Sequence, residues 1–354
     1  MTRLADFCRT LTGGAWITSP QNIYYLSHFA FDDGFLLLFP DAAYLVTDFR
    51  YEEAARAKAD PDFTVLSPQT GAFSVIGELA ARHGADTLLV EEEHLTLAMR
   101  DALTARFPSL TTTSGASRAL AALRQYKDAR ELAAIRAAQQ ITDAAFSHIL
   151  TFLPRAATER EIALELDTFM RKMGADGSAF QTIAVSGTAS ALPHGTPRDT
   201  LERGFLTMDF GARLGGYCSD MTRTVVLGRA TEEEAHVYRT VLAAQTAALS
   251  AARVGISHRA LDGVARTLID EAGFKGCFGH SLGHGVGIDI HEAPRLSSRA
   301  PEDARLAPGE IVTIEPGIYL TGKFGCRIED MITATQDGKI LNLTHSPKEL
   351  LEIT

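Results

Sequence analysis

The stretch His280–Pro294 reads HSLGHGVGIDIHEAP, with histidines at 280, 284 and 291, glycines at 283, 285 and 287, and an apolar alternation of Val286, Ile288 and Ile290. A core strand has no use for three imidazoles, and a solvated loop has none for the alternation, so something polar must meet these rings. Four acids supply a reason. TMDFG at 207–211 is matched by TIEPG at 313–317, each behind two apolar residues, and CSDMT at 218–222 is loosely matched by CRIEDMIT at 326–333. Side chains alternate faces along a strand, so Phe205, Thr207 and Asp209 share one side of FLTMDFG while Leu206, Met208 and Phe210 share the other. Asp209 and Glu315 thus leave apolar strands beside a threonine, and the returning strands bring Asp220 and Glu329 to them.

Four converging carboxylates repel, and burying them is costly unless their charge is neutralised. Two divalent cations cancel four negative charges, and one imidazole adds a neutral ligand. An oxygen-rich donor set suits Mn2+, with Co2+ or Zn2+ as alternatives, rather than the soft sites that thiolates make. Two ions about 3.5–4 Å apart turn a bridging water into hydroxide near neutral pH, which hydrolyses without a protein nucleophile.

Asp209, Asp220, His284, Glu315 and Glu329, set within HSLGHGVGIDIHEAP and IEPGIYL, resemble the ligands of the dinuclear metallopeptidases that include methionine aminopeptidase, aminopeptidase P and prolidase. The resemblance spans residues from about 125 to 354 and, as the amino-terminal domain of creatinase and the proline-specific members, residues 1–122. It implies the "pita-bread" fold, with Asp209 bidentate, Asp220 and Glu329 bridging, and His284 and Glu315 completing two metal ions. Leu192-Pro193-His194-Gly195, His280, His291 and Arg327 resemble the set around the site of the Xaa-Pro peptidases. Methionine aminopeptidases generally lack the long first domain, and creatinase lacks the metal ligands.

By this resemblance His194 and His291 hold the scissile carbonyl and its developing oxyanion, Glu315 doubles as proton shuttle, and His280 shapes the proline pocket. Strand parity adds Arg327 on the Glu329 face and Tyr319 on the Glu315 face. In the first domain, NIYYLSHFAFDDGF and LVTDFRYEEA resemble segments of aminopeptidase P and small bacterial prolidases alike. Asp32 or Asp33 is a candidate for a substrate ammonium, and Arg50 for a carboxylate. The expected activity is aminopeptidase P-like release of the residue before proline; the alternative is a prolidase restricted to Xaa-Pro dipeptides. A non-catalytic binding protein of the same fold is a remote third reading, opposed by retention of all five ligands. The resemblance also implies a homodimer.

Positioning these groups takes more than one core. At 354 residues the chain exceeds what one core comfortably serves, and 45% hydrophobic with 22% charged residues is the composition of a folded chain. Residues 1–122 alternate apolar runs (AWITS, NIYYLS, FLLLFP, AYLVTDF, FTVLS, TLLVEEE) with Ala-rich helical segments, which predicts an α/β domain like that of creatinase and prolidase. Residues 123–354 then form the α+β catalytic domain. Capping-box spacings at Asp128/Glu131, Thr158/Glu161 and Thr231/Glu234 open helices, and Ser257 opens another that Gly273 closes. Each TMDFG-type segment follows two helices, which predicts a pseudo-twofold αα-strand repeat.

A net charge of −10 argues against a nucleic-acid partner. The amino terminus has no apolar signal region, and no uncharged apolar run reaches about 18 residues, which predicts a cytoplasmic protein with no membrane association. Four cysteines without CxxC spacing predict free thiols. Cys218 shares the parity of Asp220 and is read as a small buried thiol.

Overall fold

The structure is a computed structural model that describes residues 2–69 and 71–354. The chain forms two compact units, Met1–Arg124 and Gln125–Thr354. The sequence reading drew its line at 122, inside the helix Ala116–Gln125 with which the first unit closes.

The first unit carries strands β1 (Gly14–Ile17), β2 (Gly34–Phe39), β3 (Ala42–Thr47), β4 (Phe63–Leu66), β5 (Thr87–Val90) and β6 (Thr111–Ser114) in a mixed sheet ordered β4-β3-β2-β1-β5-β6. Its helices are α1 (Arg3–Cys8), α2 (Pro20–Ser27), α3 (Phe49–Lys58), α4 (Ala72–Arg82), α5 (Leu97–Arg106) and α6 (Ala116–Gln125). Strand β2 is an unbroken apolar run because neighbours cover it: Phe35, Leu37 and Phe39 pack with Trp16, Tyr44 and Leu79 in one core. NIYYLS, grouped on the sequence with the short apolar runs, is helical. Ser19 caps it by accepting from the Asn22 amide, and Pro20 fits its first turn. The helix stops at His28, whose φ of 54° is left-handed.

The second unit repeats one plan. Helices α7 (Ala129–Phe152) and α8 (Glu159–Lys172) precede β7 (Gly177–Ser178), β8 (Ile183–Ser186), β9 (Gly204–Phe210), β10 (Ala212–Leu214), β11 (Tyr217–Cys218) and β12 (Met221–Leu227). Helices α9 (Glu232–Ala251) and α10 (His258–Ile269) precede β13 (Gly283–Gly285), β14 (Glu292–Leu296), β15 (Ile311–Ile314), β16 (Gly317–Leu320), β17 (Phe324–Arg327) and β18 (Asp330–Ala334), with β19 (Ile340–Asn342) and β20 (Glu352–Ile353) at the end. Capping boxes form at Asp128/Glu131 and Thr231/Glu234. At Thr158 the hydroxyl accepts from the Glu161 amide, but the Glu161 carboxylate turns to the Ala157 amide instead. Ser257 precedes α10 without a side-chain cap, and Gly273, at φ 93°, lies in a wide turn after it.

Two sheets carry the chemistry. One is ordered β20-β12-β9-β8 and the other β14-β13-β15-β18-β19. The alternation read in FLTMDFG holds: Leu206, Met208 and Phe210 pack with α7 and α8, while Phe205 joins Tyr238 and Val241 of α9 in the other core. All four cysteines are free, with Cys218 buried, and among the described residues no helix is long and apolar enough to cross a membrane.

Candidate active site

Strand β9 delivers Asp209, and the antiparallel β12 returns with Thr222 directly opposite it. Asp220 comes two residues before that partner. In the other half Ile314 pairs with Asp330, so Glu315 and Glu329 lie one step beyond, next to each other. The two acid pairs are therefore not matched residue for residue. Thr222 occupies the place facing Asp209, and its hydroxyl donates to Glu329 Oε2 at 2.7 Å while accepting from Arg327 Nε at 3.0 Å.

His284 arrives on β13, which is wedged between β14 and β15. The glycines around it are there for space. A Cβ on Gly283 would sit 1.9 Å from the Thr313 carbonyl oxygen, and one on Gly285 would sit 2.1 Å from that of Ala293. His284 Nδ1 lies 3.1 Å from the Gly285 carbonyl and must donate to it, which leaves the Nε2 lone pair facing Asp220 Oδ2 at 3.5 Å and Glu315 Oε1 at 3.4 Å. Asp220, His284 and Glu329 each offer an atom within 4.8 Å of the others, and all three are buried.

Burial, with repulsion from Glu329, Asp209 and Glu315 added, pushes the Asp220 carboxyl well above the usual carboxylate range. Burial, followed by Glu315 and Asp209, does the same to Glu329. Glu315 is pushed up to about 8 by burial, a rise that Arg327 opposes and Asp209 reinforces. Burial drives the imidazoles the other way, His284 to about 3 and His280 to about 4. His284 is thus neutral, and its lone pair points at carboxylate oxygens across gaps too long for hydrogen bonds. Acceptors turned toward one another in this way fit a divalent cation. The buried Asp209 Oδ1, without a hydrogen bond in the structure, is a further vacant donor atom.

The basic residues are brought in too. Arg327 Nη2 donates to Asp209 Oδ2 at 2.6 Å, and its Nη1 donates to the Tyr319 hydroxyl at 2.7 Å. That hydroxyl lies 2.9 Å from His280 Nε2, and His280 Nδ1 donates to the Ser281 carbonyl. Tyr319 therefore stands behind the cleft wall as a link between Arg327 and His280. Arg327 also adds a positive charge that the sequence-based charge balance left out. With two divalent ions and four carboxylates the site would hold one positive charge in excess, which suits an anionic reactant.

Asp209, Asp220, His284, Glu315, Glu329, His280 and Arg327 line a cleft of about 420 Å³, the size of a small-molecule site, along with His194, His291 and Arg295. The His291 ring meets that of His284 edge to face, 4.4 Å between centroids, and His194 is exposed on the loop before β9. Arg295 is the residue that the sequence reading missed. It pairs across β13–β14 with His284, is exposed, and among the described residues its side chain makes no hydrogen bond or ion pair. Alternation from His291 does not find it, because the pairing jumps from His284–Arg295 to Gly285–Glu292 across a bulge. Asp32, Asp33 and Arg50 belong to the first unit, where Arg50 donates to Asp33 Oδ2 at 2.7 Å and to Asp48. Cys218 points its thiol at the Ile288 carbonyl, and burial pushes it up to about 12, so it is inert.

Known proteins resemble this chain over nearly its whole length. Residues 133–336 match Metallopeptidase family M24, and residues 9–126 match the Creatinase/Prolidase N-terminal domain. A solved Xaa-Pro dipeptidase from Bacillus anthracis is 37% identical, with a TM-score of 0.93 and 99% of each chain covered. An X-Pro aminopeptidase from Thermotoga maritima is 35% identical, with a TM-score of 0.90, covering 96% of this chain and 97% of its own. A prolidase from Pyrococcus horikoshii is 31% identical, with a TM-score of 0.89 and 98% of each chain covered.

Proposed function

The chain belongs to metallopeptidase family M24, and from that premise we propose that it hydrolyses the Xaa-Pro bond of dipeptides. The observation that carries the dipeptide reading is Arg295. A dipeptide ends in a carboxylate one residue past the scissile bond, and an unpaired guanidinium at the cleft can meet it with charge-assisted hydrogen bonds. Arg50 is a weaker candidate, because Asp33 and Asp48 already match its charge. Of the two substrate readings open on the sequence, the aminopeptidase P-like one thus yields to the prolidase-like one, in keeping with the Bacillus anthracis and Pyrococcus horikoshii neighbours.

Asp209, Asp220, His284, Glu315 and Glu329 would hold the divalent ions, and we assign manganese on the hardness of four carboxylates and one imidazole. Bound there, the ions supply Lewis acidity and lower the pKa of a water. His194 and His291 orient the scissile carbonyl and donate to its oxygen as negative charge develops. Glu315 Oε1 accepts from the Thr313 hydroxyl at 3.1 Å, leaving Oε2 to take the proton of the attacking water and pass it to the proline nitrogen. That nitrogen carries no N–H in the substrate, so without the delivered proton proline does not leave. Arg327 fixes Asp209 and, through Tyr319, the tilt of His280 beside the proline pocket.

The test compares kcat/KM for Ala-Pro and Ala-Pro-Ala in the wild type and in Arg295→Met. The expected result is a preference for Ala-Pro that falls about 10–100-fold in the variant, the worth of a hydrogen bond to a charged group. Equal or better cleavage of Ala-Pro-Ala by the wild type restores the aminopeptidase reading.

A further inference from the structure

Arg223, on β12, takes no part in the chemistry described above, yet it is 1% exposed and among the largest fully buried side chains. A guanidinium has five N–H donors, and here each has an acceptor. Nε donates to the Pro347 carbonyl at 3.0 Å, and Nη1 to the carbonyls of Thr222 at 3.0 Å and Glu329 at 2.6 Å. Nη2 donates to Asp330 Oδ1 at 2.8 Å and to the Ser346 carbonyl at 2.8 Å. Asp330 is wholly buried, and its Oδ2 accepts from Asn342 and from Lys348 Nζ. The Ser346 amide and hydroxyl are held in turn by the Asp143 carboxylate of α7.

Glu329 needs such a hold because strand pairing fails it. β17 ends at Arg327 and β18 begins at Asp330, so the peptide groups at Glu329 have no regular ladder. Its amide donates to the Thr222 carbonyl at 3.1 Å, its carbonyl accepts from Arg223, and its carboxylate accepts from the Thr222 hydroxyl. Two consecutive residues of the first half thus grip an acid of the second half at three points.

We propose that Arg223 is a positioning residue for the metal site: it fixes the backbone of Glu329 and uses the carboxy-terminal segment 346–348 as its anchor, so that segment sets metal affinity from behind the cleft. This rests on the reading of Glu329 as a metal ligand. Lysine in place of Arg223 keeps the charge beside Asp330 but cannot reach five acceptors at once.

The test is calorimetric titration of chelator-stripped protein with Mn2+, for the wild type, Arg223→Lys, Lys348→Met and, as a stability control on the same strand, Val226→Ala. The expected result is affinity for at least one ion weakened about 10–100-fold in Arg223→Lys, the usual effect of losing a group that orients a ligand. Lys348→Met should shift the same ion in the same direction, and it carries the test if Arg223→Lys does not fold. Val226→Ala should lower the melting temperature and leave affinity unchanged. Wild-type affinity in both Arg223→Lys and Lys348→Met, or equal weakening in Val226→Ala, overturns the proposal. A wild type that takes up no Mn2+ overturns the metal reading itself, and this inference with it.

Discussion

Removing the metal should make this protein less stable as the pH is raised above about 7. In the folded, metal-free chain Glu315 titrates at about 8, whereas in an unfolded chain a glutamate titrates near 4.3. Between those values the folded state holds a proton at Glu315 that the unfolded state has lost, so the contribution of this group to stability falls with rising pH and levels off above 8. One proton is worth a little over 1 kcal/mol per pH unit. Below about pH 6.5 the buried imidazoles of His280 and His284, held neutral in the folded chain, push stability the opposite way. The fall is therefore read between about pH 7 and 8, where Glu315 contributes about 1 kcal/mol. Asp220 and Glu329, raised by burial and mutual repulsion, act in the same direction. Ions that enter the cluster must displace these protons, so loading at pH 7 should release about one proton or more per chain. Urea denaturation of chelated protein across that pH range measures the first effect, and a pH-stat titration with Mn2+ in unbuffered solution measures the second. Metal-free stability that is flat or rising over the window, together with silent metal binding, would refute the claim that the carboxylates share a buried site.

Three further outcomes follow from the geometry. Asp220→Ala should lose metal and activity together, since it removes an acid whose oxygen faces His284 Nε2 at 3.5 Å; full activity contradicts the scheme. His194→Ala should keep its metal and lose about 10²–10³ in kcat, as expected for one oxyanion donor, and loss of metal would reassign the residue. Gly283→Ala should cost about 3 kcal/mol in urea denaturation, because the new methyl meets the backbone oxygen of Thr313, which cannot turn aside as a side chain could; unchanged stability would show that β13 is free to shift.

What could be read from the sequence follows the range of the interactions. The faces of FLTMDFG and the capping boxes at Asp128 and Thr231 depend on neighbours within a few residues, and pattern alone specifies them. The offset between Asp220 and the Thr222 opposite Asp209 depends on register across a turn, which two similar motifs do not reveal. Tyr319 was placed by extending parity from Glu315, but the strand breaks at residues 315 and 316, and the hydroxyl meets Arg327 across the β16–β17 hairpin. NIYYLS reads as an apolar run until Ser19 and Pro20 are given their helix-opening roles. Arg223 could not be found at all, because four of its five acceptors lie more than 100 residues along the chain.

Strand β9 sends Phe205 into the core under α9 and its next residue into the core under α7. Cut at the junction before Thr231, the leading piece would show Phe205 to water, and the trailing piece would lose the ring that packs on Tyr238 and Phe324. The two halves therefore share one core residue across their boundary, and each exposes apolar surface that only the other covers.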